Sequence, residues 1–160
     1  MKRTLGIVAA ALVLNGCAAL SQERPDAAGP REMRMAFDVT DSATAPLIVK
    51  LETIETTRKQ LIDQGYTPRI VVTFRGNASY FTQTDMSLVK EADRADALKI
   101  QSMIRRFRQD NVIESAEQCN IPLAPRKIQA QNLMPEVKLV PNGWIALAEY
   151  QRKGYAYIAP

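Results

Sequence analysis

Arg69-Ile70-Val71-Val72-Thr73-Phe74 runs straight into Arg75-Gly76-Asn77. A short apolar run, β-branched at its centre and closed by a Gly-Asn pair, reads as a strand buried on both faces with its turn attached. Such a strand needs a layer on each side, and the flanking sequence supplies helical patterns for both. Upstream, Leu47, Ile48, Leu51, Ile54, Leu61 and Ile62 form one apolar stripe, with Glu52, Glu55, Arg58, Lys59 and Asp63 outside it. Pro46 and Gly65 stand where a helix of that span starts and stops. Tyr66-Thr67-Pro68 reads as the turn into the strand. Before the helix, residues 33–39 (MRMAFDV) alternate as a first strand.

Downstream, a less regular stretch carries Tyr80, Phe81, Leu88 and Val89 as packing residues. Residues 93–109 make a helix with Ala97, Ile100, Met103, Ile104 and Phe107 inward, and 112–117 a third strand with Cys119 just beyond it. A Pro-broken stretch, 121–125, precedes a short strand at 137–140. Pro141-Asn142-Gly143 opens a helix through Trp144, Ile145, Leu147, Ala148 and Tyr150, Gly154 ends it, and 155–158 is a last strand. Strand and helix alternate, which predicts an α/β domain over 31–160 with a five-stranded, mainly parallel sheet and right-handed crossovers. Any site belongs at the carboxyl ends of the strands: 38–44, 75–79, 117–121 and 141–143.

The inventory narrows the chemistry. Of 160 residues none is His, which removes the commonest general base, the Ser-His-Asp and Cys-His designs and His-liganded metals. Two cysteines cannot make a Cys₄ centre. Neither a phosphate loop nor a G-x-G-x-x-G fingerprint is present, and no cofactor or metal is expected. Asp38 and Asp41 read as turn and capping residues, Arg105, Arg106 and Arg108 as a solvated helix face, and Trp144, Tyr150, Tyr155 and Tyr157 as core and subunit contacts.

The first 16 residues read as a signal peptide: Lys2 and Arg3, then an uncharged run of ten, 5–14, too short for a bilayer span of roughly 20 residues. Leu14-Asn15-Gly16-Cys17 looks like a bacterial lipobox, with Cys17 lipidated. Residues 17–30 follow as the lipidated Cys and a flexible tether, polar and Pro- and Gly-containing from Ser21 to Pro30. Removing residues 1–16 takes away two bases and no acids, leaving 19 basic against 17 acidic residues, so the net charge of +4 falls to +2. A basic excess that small gives no case for nucleic acid. With Ala18 after the Cys, the expectation is a periplasmic protein, lipid-anchored to the outer membrane.

With Cys17 lipidated, Cys119 is the one remaining thiol. An unpaired Cys in an oxidising compartment is buried, intermolecular or reactive. Its polar setting, Glu117-Gln118-Cys119-Asn120, favours the rim of the sheet over the core. A helical turn following it would aim free N–H groups at a thiolate. Arg75-Gly76-Asn77 reads either as ordinary turn punctuation or as an anion-binding turn.

The order of these pieces resembles the DsrE/DsrF-like family of sulfur-relay proteins over residues 31–160. The resemblance is carried by Val72-Thr73-Phe74-Arg75-Gly76-Asn77-Ala78, similar to the family's strand ending in an F-x-G-x-A turn, by Glu117-Gln118-Cys119-Asn120, and by the run from Val140-Pro141-Asn142-Gly143-Trp144 to Gly154-Tyr155-Ala156-Tyr157-Ile158. It implies a flavodoxin-like three-layer α/β/α sandwich, often assembled as a trimer or hexamer, with Cys119 carrying sulfur as a persulfide between donor and acceptor proteins. Arg75 stands where the family has His. Around Cys119, the residues expected to bind an anionic substrate are Arg75, Gly76, Asn77, Asn120, Asn142 and Gly143. The alternative is a non-catalytic oligomeric binding or assembly module of the envelope; a small-ligand or nucleotide-binding subunit is a third reading.

Overall fold

The computed structural model describes residues 31–160; the signal-peptide, Cys17 and tether expectations lie outside them. The elements are β1 (Arg31–Val39), α1 (Thr44–Asp63), β2 (Tyr66–Phe74), α2 (Arg94–Gln109), β3 (Ser115–Cys119), β4 (Val137–Val140), α3 (Gly143–Arg152) and β5 (Ala156–Ile158). All five strands pair in parallel, in the order β4-β3-β2-β1-β5. The chain steps from β1 to β4 in one direction and then crosses to the far side of β1. That reversal separates the helices. α1 and α2 pack together on one face, over Phe37, Val39, Val72 and Phe74, while Leu147 of α3 packs on Ala36 and Val71 of the other. The expected α/β sheet flanked by helices is the architecture found.

Two strand starts differ from the sequence reading by three residues. Tyr66–Pro68 belongs to β2 rather than to a turn. There β2 has a neighbour only on the β1 side, because β3 begins pairing at Val71, so the N–H that Pro68 lacks has no ladder to leave open. β3 starts at Ser115, not Val112: the N–H groups of Val112 and Ile113 both donate to the Phe107 carbonyl, closing α2 and burying the two side chains as its plug. The Pro-broken β3-to-β4 crossover holds two short 3₁₀ turns, Ala124–Arg126 and Ala130–Asn132.

The basic cluster on α2 is an exposed face with assigned partners. Arg105 meets Glu136 at 3.2 Å, Arg108 donates to the Ile113 and Glu114 carbonyls, and Arg106 forks onto both oxygens of Glu55 in α1 at 2.8 Å. The Arg106 guanidinium beside Glu55 holds its carboxyl down at about 2, against burial that pushes it up. A carboxyl depressed on folding adds stability above its unfolded value near 4.5, and that contribution fades as pH falls through about 2. Glu55→Gln is therefore expected to cost up to about 1 kcal/mol at pH 7 in urea unfolding. The difference should shrink below pH ~4.5 and vanish near pH ~2. A gap that persists undiminished at the acid end would mean that packing, not charge, joins the two helices here.

Candidate functional site

β3 alternates across the two layers. Gln118 points to the face that carries α1 and α2, as Ala116 does, and there its amide donates to Ser79 Oγ at 2.7 Å and to the Cys119 carbonyl at 2.8 Å while its oxygen accepts from Thr82 Oγ1 at 2.7 Å. Glu117 and Cys119 face α3: the Glu117 carboxylate accepts from the Tyr150 hydroxyl at 2.8 Å, and Cys119 Sγ accepts the Gly143 N–H at 3.1 Å. The two polar residues before Cys119 are thus buried and bonded. Glu117, Gln118 and Cys119 are 2%, 0% and 4% exposed. The network fixes the strand end that carries the sulfur.

The donor to that sulfur comes from elsewhere than expected. The N–H of Asn120, the first after Cys119, is spent on the Val140 carbonyl at 2.9 Å, and Asn120 is exposed and does not line the cleft. Instead the first residue of α3 supplies it, so the positive end of a ten-residue helix meets the sulfur. Asn142 caps that helix, its Oδ1 accepting the Trp144 N–H at 2.9 Å. Gly143 is required by space: a Cβ there would meet Arg75 Cδ at 2.6 Å, Arg75 Cγ at 2.9 Å and Cys119 Cβ at 3.0 Å.

Cys119 lines a cleft of about 240 Å³ whose walls include Ile121, Pro122, Pro125 and Trp144, with Arg75, Gly76, Arg126 and Asn142 at its polar margin. A larger hollow of about 350 Å³ lies between Ser42, Tyr80 and Lys90, bordered like the first by the Asn77 turn, and contains no thiol. The sequence set Arg75, Gly76, Asn142 and Gly143 therefore converges on Cys119, and Asn77 stands just behind, accepting the Arg126 fork on Oδ1 at 2.8 and 3.0 Å. Gly76 sits at φ +55°, the left-handed turn that favours glycine.

Arg75 is not the free guanidinium an anion-binding turn would offer. Its Nε and Nη2 donate to the two oxygens of Asp38 at 2.7 and 2.5 Å, and that bond raises its pKa above the ordinary arginine value. Asp38 also accepts the Tyr157 hydroxyl at 2.8 Å, which pushes the phenol up. The sequence reading of Asp38 as a turn or capping residue is thereby corrected: it is buried in β1, where it neutralises Arg75 and ties β5 to the site. Asp41 pairs with Lys50 at 2.9 Å. Trp144 is likewise no core residue. It is 67% exposed at the rim, its ring 5.2 Å from the Arg75 guanidinium carbon. Tyr150 and Tyr155 pack edge to face at 5.1 Å beneath α3, and burial, then its bond to Glu117, raises the Tyr150 phenol.

Arg126 escaped the sequence reading. It lies in an irregular crossover, with no periodicity to mark it, and only the fold brings it to Asn77 and the cleft. Among the described residues no group of three or more His, Cys, Asp or Glu stands close enough to hold a metal ion.

No family model matches the chain. An uncharacterized protein of Aquifex aeolicus (strain VF5) is 27% identical over 126 residues, 79% of this chain and 55% of that protein, so the chain spans about half the length of the relative it matches. The solved structure of a protein of unknown function, MTH1491 from Methanobacterium thermoautotrophicum, shares the fold with a TM-score of 0.57 at 16% identity, over 80% of this chain and 99% of that one. That likeness extends to the fold alone: a parallel five-stranded sheet flanked by helices.

Proposed function

We propose that this chain is a DsrE-like protein that binds or relays sulfur as a persulfide on Cys119. In the same reading it is lipid-anchored through Cys17 on the periplasmic side of the outer membrane, and assembles as a homo-oligomer of three or six copies. The observation that carries the reading is the seating of the Cys119 sulfur: at the end of β3, against the Gly143 N–H at the start of α3, on a cleft. An N–H at a helix N-terminus favours negative charge on sulfur, the form that attacks. In the first step the Cys119 thiolate attacks the outer sulfur of a donor R–S–S–H. The donor S–S bond breaks, R–S⁻ leaves, and Cys119–S–S–H forms. An acceptor thiolate then takes the outer sulfur by the same exchange and returns the Cys119 thiolate, so no net oxidant or reductant is consumed.

Incubation with polysulfide followed by intact-mass spectrometry tests it. The wild-type chain should gain about 32 Da, one sulfur atom, reversed by a small thiol, and Cys119→Ser should gain nothing. A thiol that stays unmodified and also resists iodoacetamide would overturn the relay. That result would favour the non-catalytic envelope module, the reading to which the 4% exposure of Cys119 lends weight.

A further inference from the structure

Two arginines border the Cys119 cleft, and their charges have different fates. Arg75 is cancelled by the Asp38 fork. Arg126 spends its donors on neutral oxygens: Nε and Nη2 on Asn77 Oδ1, and Nη1 on the Pro122 carbonyl at 3.1 Å. Among the described residues it has no carboxylate partner, and no carboxylate lines the cleft. The cleft therefore holds one uncompensated positive charge above walls that are otherwise apolar, built by Ile121, Pro122, Pro125 and the Trp144 indole. A volume near 240 Å³ suits a small molecule or the reacting end of a larger one.

We infer that the cleft selects a small, anionic sulfur donor, a hydropolysulfide or a low-molecular-weight persulfide bearing a carboxylate, and that Arg126 is the residue that sets this preference. The inference rests on the persulfide reading for the identity of the donor, while the charge selectivity of the cleft stands independently of it. Apolar walls suit a polarizable, weakly hydrated sulfur anion, and a fixed cation raises its concentration beside the thiol. In the transfer, the Cys119 thiolate attacks the terminal sulfur of the donor, the adjoining S–S bond breaks, and the shortened thiolate or polysulfide anion leaves, still facing Arg126.

Alkylation of Cys119 gives a readout that needs no sulfur transfer. In the wild-type chain, the ratio of the rate with anionic iodoacetate to that with neutral iodoacetamide should exceed the ratio for free cysteine. Arg126→Gln should lower that ratio about 3- to 10-fold at low salt, acting on iodoacetate alone, and 0.5 M salt should erase most of the difference. Arg126→Lys keeps the charge and loses the fork, so it should retain the preference. Far-ultraviolet circular dichroism of each variant separates this from unfolding. An iodoacetate preference that survives in folded Arg126→Gln, or one lost equally in Arg126→Lys, overturns the assignment. Parallel reactions with polysulfide and with neutral dimethyl trisulfide address the donor. If charge selectivity is found but neither reagent leaves sulfur on Cys119, the relay reading fails and the anion cleft remains.

Discussion

Asp38→Ala is expected to cost about 2–4 kcal/mol of unfolding free energy and to alter the emission of the single tryptophan. The carboxylate side chain is 4% exposed and holds three donors: Arg75 Nε, Arg75 Nη2 and the Tyr157 hydroxyl. Truncation strands a guanidinium whose side chain is only 18% exposed and a phenol whose acceptor is gone. Removing one partner of a buried pair costs about 3–5 kcal/mol, and the lower range applies here because Arg75 borders the cleft and reaches some water. Trp144 reports the event, since its ring lies 5.2 Å from that guanidinium. Removing both charges tests the origin of the loss. If the penalty is the stranded cation, Asp38→Asn combined with Arg75→Gln should recover more than half of what Asp38→Asn alone loses. Urea unfolding of the four proteins measures it. A loss under about 1 kcal/mol for Asp38→Ala would mean that water already screens the pair.

The sequence carried the layers of this fold because layers come from periodicity. The first half of the α1 stripe, Leu47 to Ile54, the inward row of α2 from Ala97 to Phe107, and the apolar run before Phe74 each announce their element through spacing alone, whereas Ile62 of the expected α1 stripe is exposed, beyond the reach of the sheet. Cys119 was likewise legible as a strand-end residue, because the parallel-sheet rule sends strand ends and their loops to one rim. What spacing cannot carry is register. Asp38, Thr73 and Glu117 form one row across β1, β2 and β3, facing α3, only because those strands align as they do. The same alignment brings Asp38 to Arg75, 37 residues away. Before that pairing is known, an Asp near a strand end looks like a cap and an Arg before Gly like an anion hook. The core half of the expectation for Trp144 fails for a related reason: where α3 opens at the sheet's rim its second residue stands out at 67% exposure, although an indole beside Ile145 and Leu147 has the composition of core. Arg126 ends a single 3₁₀ turn, too short to carry a periodicity from which it could be read.

Gly143→Ala should destabilise the domain by about 1–3 kcal/mol and slow alkylation of Cys119 severalfold, although alanine is ordinarily the better helix residue. Gly143 is outside the left-handed region, so backbone conformation raises no objection; the obstacle is its neighbours. A methyl at this position would press on Arg75 Cδ at 2.6 Å, Arg75 Cγ at 2.9 Å and Cys119 Cβ at 3.0 Å. An arginine stem usually yields, but this one is anchored at its far end by the Asp38 fork, and Cys119 Cβ is fixed to a paired strand. The start of α3 is what can move. Its retreat lengthens the 3.1 Å contact from the Gly143 N–H to the sulfur, which is why reactivity should fall along with stability. Arg75→Ala separates the two obstacles, since it deletes the stem and leaves Cys119 Cβ. In that background the cost of Gly143→Ala should fall by about half, a coupling of about 1 kcal/mol in a double-mutant cycle. The slowed alkylation should persist in part, because the remaining 3.0 Å contact still pushes α3 away from the sulfur. Full additivity of the two substitutions would show that Arg75 bends aside freely, and that the Asp38 fork does not hold the site together.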